Sequence, residues 1–261
     1  IDRDDYSRLG EFDALFIRET TAVNHHTFRF ARRAAAEGLV VIDDPESIMK
    51  CTNKVYLSEL LEKNQIPSPR TFVVHRDNMN EVVDRVGLPC VLKQPDSSFS
   101  QGVVKAETQE DLYRELIHLF EKSDLLIAQE FMPTDFDWRI CVFDGRPIFA
   151  CKYYMARKDW KIVTRDAEGK PQSGKSETMP VETIPRKLLT LAQKAANLIG
   201  NGLYGLDVKQ IGNNFVVIEI NDNPSIDHGF EDHVLKDELY TRIMEVFLRR
   251  ITAAKEGRLG P

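Results

Sequence analysis

Long apolar runs are missing from this chain. No stretch approaches the roughly 20 residues that a membrane-spanning helix needs, so no membrane association is expected. Closely spaced cysteines are missing too. Cys51, Cys90, Cys141 and Cys151 stand apart, which excludes a zinc or redox pair of the usual spacing. Three of them, Cys90, Cys141 and Cys151, lie in apolar runs and read as buried reduced thiols. That points to a reducing, cytoplasmic setting. Excess positive charge is absent: 35 Lys and Arg stand against 41 Asp and Glu, a net charge of -6. Nucleic-acid binding is therefore not expected as the main task, although a local basic pocket for a small anion remains open. The chain opens IDRDDYSRLG, with neither an initiator Met nor a signal peptide; a fragment or a processed chain is the expectation. There is no internal repeat and no low-complexity tract. What is there is an ordinary globular composition, 42% hydrophobic and 29% charged over 261 residues, enough for two domains or one large one.

Periodicity orders the chain. DALFIRE (13–19) alternates like a strand, NHHTFRFARRAAAEG (24–38) reads as a helix capped by Asn24 and stopped by Gly38, and LVVID is a second strand. The first 50 or so residues thus form a βαβ piece too small to stand alone. A helix from about 53 to 64 follows, then TFVVH as a strand, MNEVVDRVG as a helix, CVLKQ as a strand and the small-residue loop DSSFSQG. VVKA, the helix TQEDLYRELIHLFEKS and the strand LLIAQEF complete an α+β unit over 53–132. DWRICVF and PIFACKYYM flank a turn at Asp144-Gly145, and 157–180 reads as a loop. Pro185 opens a helix. YGLDVKQI and NFVVIEIN flank Gly212-Asn213, a hairpin signal, and a last helix covers about 236–251.

One motif misleads. GKPQSGKS, Gly169 to Ser176, fits the full phosphate-loop pattern, but that pattern needs a helix N-terminus behind it to supply amide dipoles. ETMPVETIP follows instead, so a phosphate-loop NTPase using Lys175 is the weaker reading.

The informative stretch is VVIEINDNPS, where an apolar strand ends in oxygen-bearing side chains. Strand alternation puts Glu219 and Asn221 on one face. If the hairpin pairs Ile211 with Phe215 across a three-residue loop, Asp207 lies directly opposite Glu219. Opposed carboxylates repel in a plain sheet; a hard cation such as Mg²⁺ would resolve the conflict, and two carboxylates and an amide could hold two ions. Cations to meet phosphates stand elsewhere. Lys93 ends a strand before a loop flexible enough to close over an anion. Lys54 sits in the first turn of its helix, where the helix dipole disfavours it unless an anion binds.

Taken in order, Lys54, Lys93 before its small-residue loop, LIAQEFM, DFDWRICVFDGRPI, YGLDV and VIEINDNPS resemble the ATP-grasp superfamily, in particular the RimK-like and glutathione-synthetase-like carboxylate–amine ligases. The resemblance covers about 53–251. It implies an α+β fold of mixed α/β type, with ATP clasped between an N-terminal subdomain (53–132) and a C-terminal one carrying the metal site (133–261). A partial preceding segment, 1–52, comes first. It further implies that Lys54 and Lys93 hold ATP phosphates, that the backbone of Gln129, Glu130, Phe131 and Met132 reads adenine, and that Asp137 holds the ribose. Arg139 would stand near the transferring phosphate, and Asp207, Glu219 and Asn221 would bind Mg²⁺, two ions or Mn²⁺ in their place. Relatives carry an arginine and, two residues later, an asparagine where DWKIV offers Lys161 and Val163; Lys161 keeps the charge but not the bidentate fork. Arg18 and His228 are candidate substrate contacts. The implied reaction joins a small-molecule or peptide carboxylate to an amine through an acyl phosphate. A nucleotide-binding regulatory module with a degenerate site is the alternative. The identity of the substrates and the oligomeric state are left open.

Overall fold

The computed structural model describes residues 1–96, 102–156, 159–165 and 171–257. The chain begins with a 3-10 turn, Arg3–Glu11. Then β1 (Ala14–Phe16), α1 (His26–Ala36) and β2 (Val40–Ile42) form the expected βαβ piece, with the two strands parallel. Position 24 is not the cap: His25 precedes α1 and makes no side-chain cap. The helix expected from about 53 is preceded by another. α2 (Pro45–Thr52) starts on Asp44, which accepts from the Glu46 and Ser47 amides, and has Pro45 at its first position. Asn53 then ends α2 and caps α3 (Lys54–Lys63) by accepting from the Tyr56 amide.

Two antiparallel sheets follow. The smaller joins β3 (Thr71–Val74), β4 (Cys90–Lys93), β5 (Val103–Ala106) and β6 (Leu126–Glu130) in the order β3-β6-β4-β5. α4 (Val82–Val86) and α5 (Gln109–Leu119) pack their Val82, Val86, Leu112 and Leu116 on it. The larger sheet contains β7 (Phe136–Phe143) and β8 (Arg146–Tyr154), joined at Asp144 and Gly145, which both take positive φ. The segment 157–180, expected to be a loop, instead holds three strands: β9 (Val163–Arg165) and β10 (Pro171–Ser173) pair as a hairpin, and β11 (Ser176–Met179) joins the edge of β8. A strand at an edge needs no apolar alternation, which is why periodicity did not reveal β11. Then come α6 (Arg186–Ile199), β12 (Leu203–Ile211), β13 (Asn214–Asp222) and α7 (Asp237–Lys255), giving the order β11-β8-β7-β12-β13.

The larger sheet is covered on both faces, and strand parity sorts the residues. Ile140, Val142, Leu206 and Val208 pack with α3 and α6 residues such as Leu57, Leu61, Leu188 and Ala192. Cys141, Phe143 and Leu203 face the other way, with Leu239, Ile243 and Phe247 of α7. Along β7 that second face reads Phe143, Cys141, Arg139, Asp137, and along β12 it reads Leu203, Gly205, Asp207, Lys209. It is apolar beneath α7 and charged beyond its reach. The charged half is the floor of the site.

Candidate active site

The hairpin that delivers the acids is tighter than expected. Ile211 pairs with Asn214, not Phe215, so the turn is the two residues Gly212 and Asn213. Such an even loop alone would send Asp207 and Glu219 to opposite faces. A bulge corrects it: Val208 pairs with Val217 but Asp207 pairs with Glu219, leaving Ile218 as the extra residue. The two carboxylates therefore stand directly opposed, as expected, by a different route.

Three acids here, Asp207, Glu219 and Asp137, each have a cationic partner. Arg139, on β7 opposite Asp207 of β12, donates from Nε and Nη2 to the two Asp207 oxygens at 2.6 and 3.0 Å. Lys54 Nζ reaches Glu219 Oε1 at 3.1 Å. Lys209 Nζ donates to Asp137 Oδ1 at 2.6 Å, and Thr134 shares that oxygen at 3.0 Å. Asn221 donates from Nδ2 to Asp207 Oδ2 at 3.1 Å, which turns its carbonyl oxygen away from Asp207. On the smaller sheet, Lys93 Nζ donates to Gln129 Oε1 at 2.7 Å. Lys54, Thr71, Lys93, Gln129 and Glu219 line one cavity between the sheets.

Titration follows from this packing. Burial pushes the Asp207 carboxyl up; the Arg139 charge and hydrogen bonds oppose it, while Glu219 adds to it, and the net is upward. Burial acts on Glu219 in the same sense, but Lys54 and Lys93 outweigh it and hold the carboxyl below its usual value. Burial lowers Lys93, despite Glu219 nearby. For Arg139 the desolvation cost is overcome by Asp207, and the guanidinium is held firmly charged.

The remaining expected residues fall as follows. Gln129 has its backbone inside the smaller sheet, flanked by Thr71 of β3 and Val91 of β4, so the group it turns to the site is its side chain. Glu130 ends β6 and its carboxylate holds Arg70 at 3.0 Å. Phe131 spends its amide on the Pro89 carbonyl, and Met132 lies just past the strand. Lys161 is not beside Arg139: its Nζ donates to the Val103 carbonyl at 3.0 Å, at the start of β5. Arg18 is exposed but reaches the end of β13, donating to Asn223 Oδ1 at 2.5 Å and to the Pro224 carbonyl at 2.9 Å. His228 is 94% exposed in its side chain and pairs with the buried Asp232 at 2.8 Å. The loop 96–102 expected to cover phosphate lies, except for Asp96 and Gly102, outside the described residues. Lys175 is exposed and is followed by strand β11, not a helix, which removes the phosphate-loop reading. Sequence reasoning missed Lys209, although its place two residues after Asp207 on the same face was the available signal. It also missed the Gln129 side chain.

Two carboxylates and an amide oxygen suit Mg²⁺, a hard cation that keeps positions for water and phosphate. The position between them and the lysines already accepts positive charge from Lys54, so the donor set fits such an ion once the Asn221 amide turns its oxygen in place of the NH₂ that now meets Asp207. Among the described residues no group of three His, Cys, Asp or Glu side chains could hold a metal by itself. No helix among them is long and apolar enough to cross a membrane.

Two sheets with a cation-and-carboxylate cleft between them define an enzyme of the ATP-grasp ligase class. Residues 51–245 match the RimK-like ATP-grasp domain model, and the chain belongs to that family. It is 29% identical over 231 residues to the alpha-aminoadipate–LysW ligase LysX of Sulfolobus acidocaldarius, covering 85% of this chain and 78% of that one. It is 26% identical over 232 residues to a probable alpha-L-glutamate ligase of Vibrio vulnificus, covering 88% and 74%. Among solved structures, the D-alanine–D-alanine ligase of Bacillus anthracis complexed with ATP superposes with a TM-score of 0.71 at 14% identity, over 96% of this chain and 84% of that one. The ATP-grasp ligase PsnB with its precursor peptide and AMPPNP gives 0.62 at 19% identity, over 87% and 68%.

Proposed function

We propose that the chain joins a carboxylate to an amine at the expense of ATP, with the nucleotide held between the smaller and the larger sheet. One observation carries this reading: Lys54 and Lys93 line a cavity with Glu219, and Glu219 stands across the hairpin from Asp207, which Arg139 and Asn221 hold. In the first step the substrate carboxylate attacks the γ-phosphorus of ATP, the bond to the β-phosphate oxygen breaks, and ADP leaves behind an acyl phosphate. In the second the amine attacks the acyl carbon, the C–N bond forms, a proton is lost and phosphate departs. Neither step needs a nucleophilic side chain, because phosphoryl transfer depends mainly on position and charge.

Lys54 and Lys93 hold the phosphate oxygens, and Arg139 stabilises the charge that develops on the moving group. Asp207, Glu219 and Asn221 would hold Mg²⁺, one ion or two, which would supply positive charge to neutralise the phosphates. Lys54 and Arg139 are placed to exchange their carboxylate partners for phosphate oxygens. Adenine lies along Glu130–Met132, where Met132 is past the end of β6 and its amide is outside the strand ladder. Asp137 receives the ribose in concert with Lys209. Lys161 bridges to the smaller sheet at the rim. The acid and amine are an amino acid and a second amino acid, peptide or protein terminus, as the names of the relatives suggest.

The test is ATP-dependent phosphate release from the purified chain with Mg²⁺ and a matrix of amino acids and peptides. Release that requires both an acid and an amine is expected. ATP binding without release in any combination would favour the rival reading, a regulatory module, to which the Lys161–Val103 contact lends some weight.

A further inference from the structure

A chain of hydrogen bonds runs from the metal strand to the phosphate lysine, and its polarity is set at both ends. Lys93 is an ammonium group and only donates. It donates to Gln129 Oε1 at 2.7 Å, so the amide must present its oxygen there. The Gln129 NH₂ then points the other way and donates to Thr71 Oγ1 at 3.2 Å. Thr71 can accept because its own proton is committed to the Pro69 carbonyl at 2.9 Å. Two residues earlier, the Pro67 carbonyl accepts the Val217 amide of β13 at 2.8 Å, and Val217 precedes Glu219 by two residues. The segment 67–71, with prolines at 67 and 69, thus ties the acid-bearing strand to the strand that carries Gln129.

The sheet makes the contact local. Lys93 pairs with Ile127, so Gln129 is its diagonal neighbour on the same face. Gln129 is only 8% exposed, and a buried primary amide is held by whatever satisfies it. An alternative flip would aim NH₂ at the ammonium and oxygen at a hydroxyl whose proton is already used. One orientation is therefore strongly favoured.

We propose that Gln129 and Thr71 are positioning residues: they aim the Lys93 ammonium at the phosphates of the bound nucleotide, and Gln129 takes no part in reading the base. This rests on the nucleotide reading above. Lys93 carries a long flexible stem, and burial depresses its charge; an acceptor at 2.7 Å fixes its direction and supports the charged form.

The experiment is a double-mutant cycle on nucleotide affinity, measured calorimetrically with Mg²⁺ for ATP and without it for adenosine. Gln129→Leu in the parent should weaken ATP about tenfold, and adenosine less than twofold, because adenosine lacks the phosphates that Lys93 meets. In a Lys93→Met background the same substitution should change ATP affinity less than twofold. Thr71→Val should reproduce part of the loss, and Thr71→Ser should restore parent affinity. Equal losses of ATP and adenosine in Gln129→Leu, or full additivity with Lys93→Met, would overturn the positioning role. Parent-like ATP affinity in Lys93→Met would instead overturn the phosphate role of Lys93, and with it the nucleotide reading on which the inference depends. A melting temperature for each variant, measured without ligand, separates misfolding from these outcomes.

Discussion

Replacing Glu219 with Gln tests the metal assignment with the least change of shape. The substitution removes a charge that faces Asp207 across the hairpin and is held at 3.1 Å from Lys54. Two effects on the metal-free fold oppose each other. Relief of the Asp207 repulsion stabilises. Loss of the partner of Lys54, whose side chain is only 11% exposed, destabilises. Breaking a fully buried pair costs about 3–5 kcal/mol, but the Gln oxygen still accepts from Lys54 and Glu219 itself is 28% exposed. The net expectation is a loss of about 1 kcal/mol, within the usual range for point mutants. The functional effect is larger. A metal contributes several kcal/mol to a charged transition state; losing about 3 kcal/mol of it slows turnover roughly 100-fold. The assay pairs thermal melts in chelator with Mg²⁺-dependent ATP binding and ADP formation. Asp222→Asn is the control. Asp222 accepts from Thr21 Oγ1 at 2.5 Å on the opposite side of the strand, and its substitution should leave nucleotide affinity within about twofold. Parent-like Mg²⁺-ATP binding in Glu219→Gln, together with loss of binding in Asp222→Asn, would refute the assignment.

Three further outcomes are expected. Gly205→Ala should lower turnover more than stability: its Cβ would fall 2.8 Å from Pro224 Cβ and 3.0 Å from Arg139 Cδ, so the Arg139 side chain must shift, at about 1–3 kcal/mol for the overpacking. Arg139→Lys keeps the charge but cannot reproduce the two bonds to Asp207 at 2.6 and 3.0 Å, so steady-state turnover should fall while the fold survives in circular dichroism. Asp144→Asn should cost about 1 kcal/mol at pH 7 by releasing Arg249 and Arg250 of α7, and Asn tolerates the positive φ of 50° there. Burial raises the Asp144 pKa, but the two arginines outweigh it and the net shift is downward. Its stabilisation is therefore present above the unfolded value and lost as pH falls through the folded one; parent and variant melts should converge below about pH 3.8.

How much of this was legible can be judged from particular residues. The order of strands and helices followed from periodicity because most of the larger sheet is buried on both faces, and β7, β12 and β13 show as long apolar strands. The opposition of Asp207 and Glu219 was legible, but its mechanism was not. A two-residue turn and one bulged residue give the same facing as a three-residue turn, and only coordinates distinguish them. β9, β10 and β11 were not legible, because short polar strands at an edge or in a separate hairpin owe their form to backbone pairing. Gly205 shows a second kind of limit. Its need to be glycine comes from Pro224 and Arg139, neither of which is its neighbour in sequence. Lys161 was singled out by its departure from a pattern, and departure alone carried no position.

The charge pairing of the site gives one more argument. Three acids of the cleft each have a cation: Glu219 has Lys54, Asp207 has Arg139, and Asp137 has Lys209. A site built only to bind phosphate would leave its cations crowded and mutually repelling before the ligand arrived, and a site built only for metal would do the same with carboxylates. Here each set neutralises the other across the sheet, so the geometry is held while no ligand is present. On the proposed reading, a magnesium-bound triphosphate would draw the carboxylates to the cation and the lysines and arginine to the phosphates, so both sets would remain neutralised. Binding would then be an exchange of partners in a nearly preformed cleft, with a small cost of reorganisation. It also explains why the acids must lie opposite one another rather than along one strand. A cross-strand pair sets two Cβ atoms about 5 Å apart at a fixed height, near enough for their carboxylates to share an ion and on elements that can be held, in its absence, by lysine from α3 and arginine from β7.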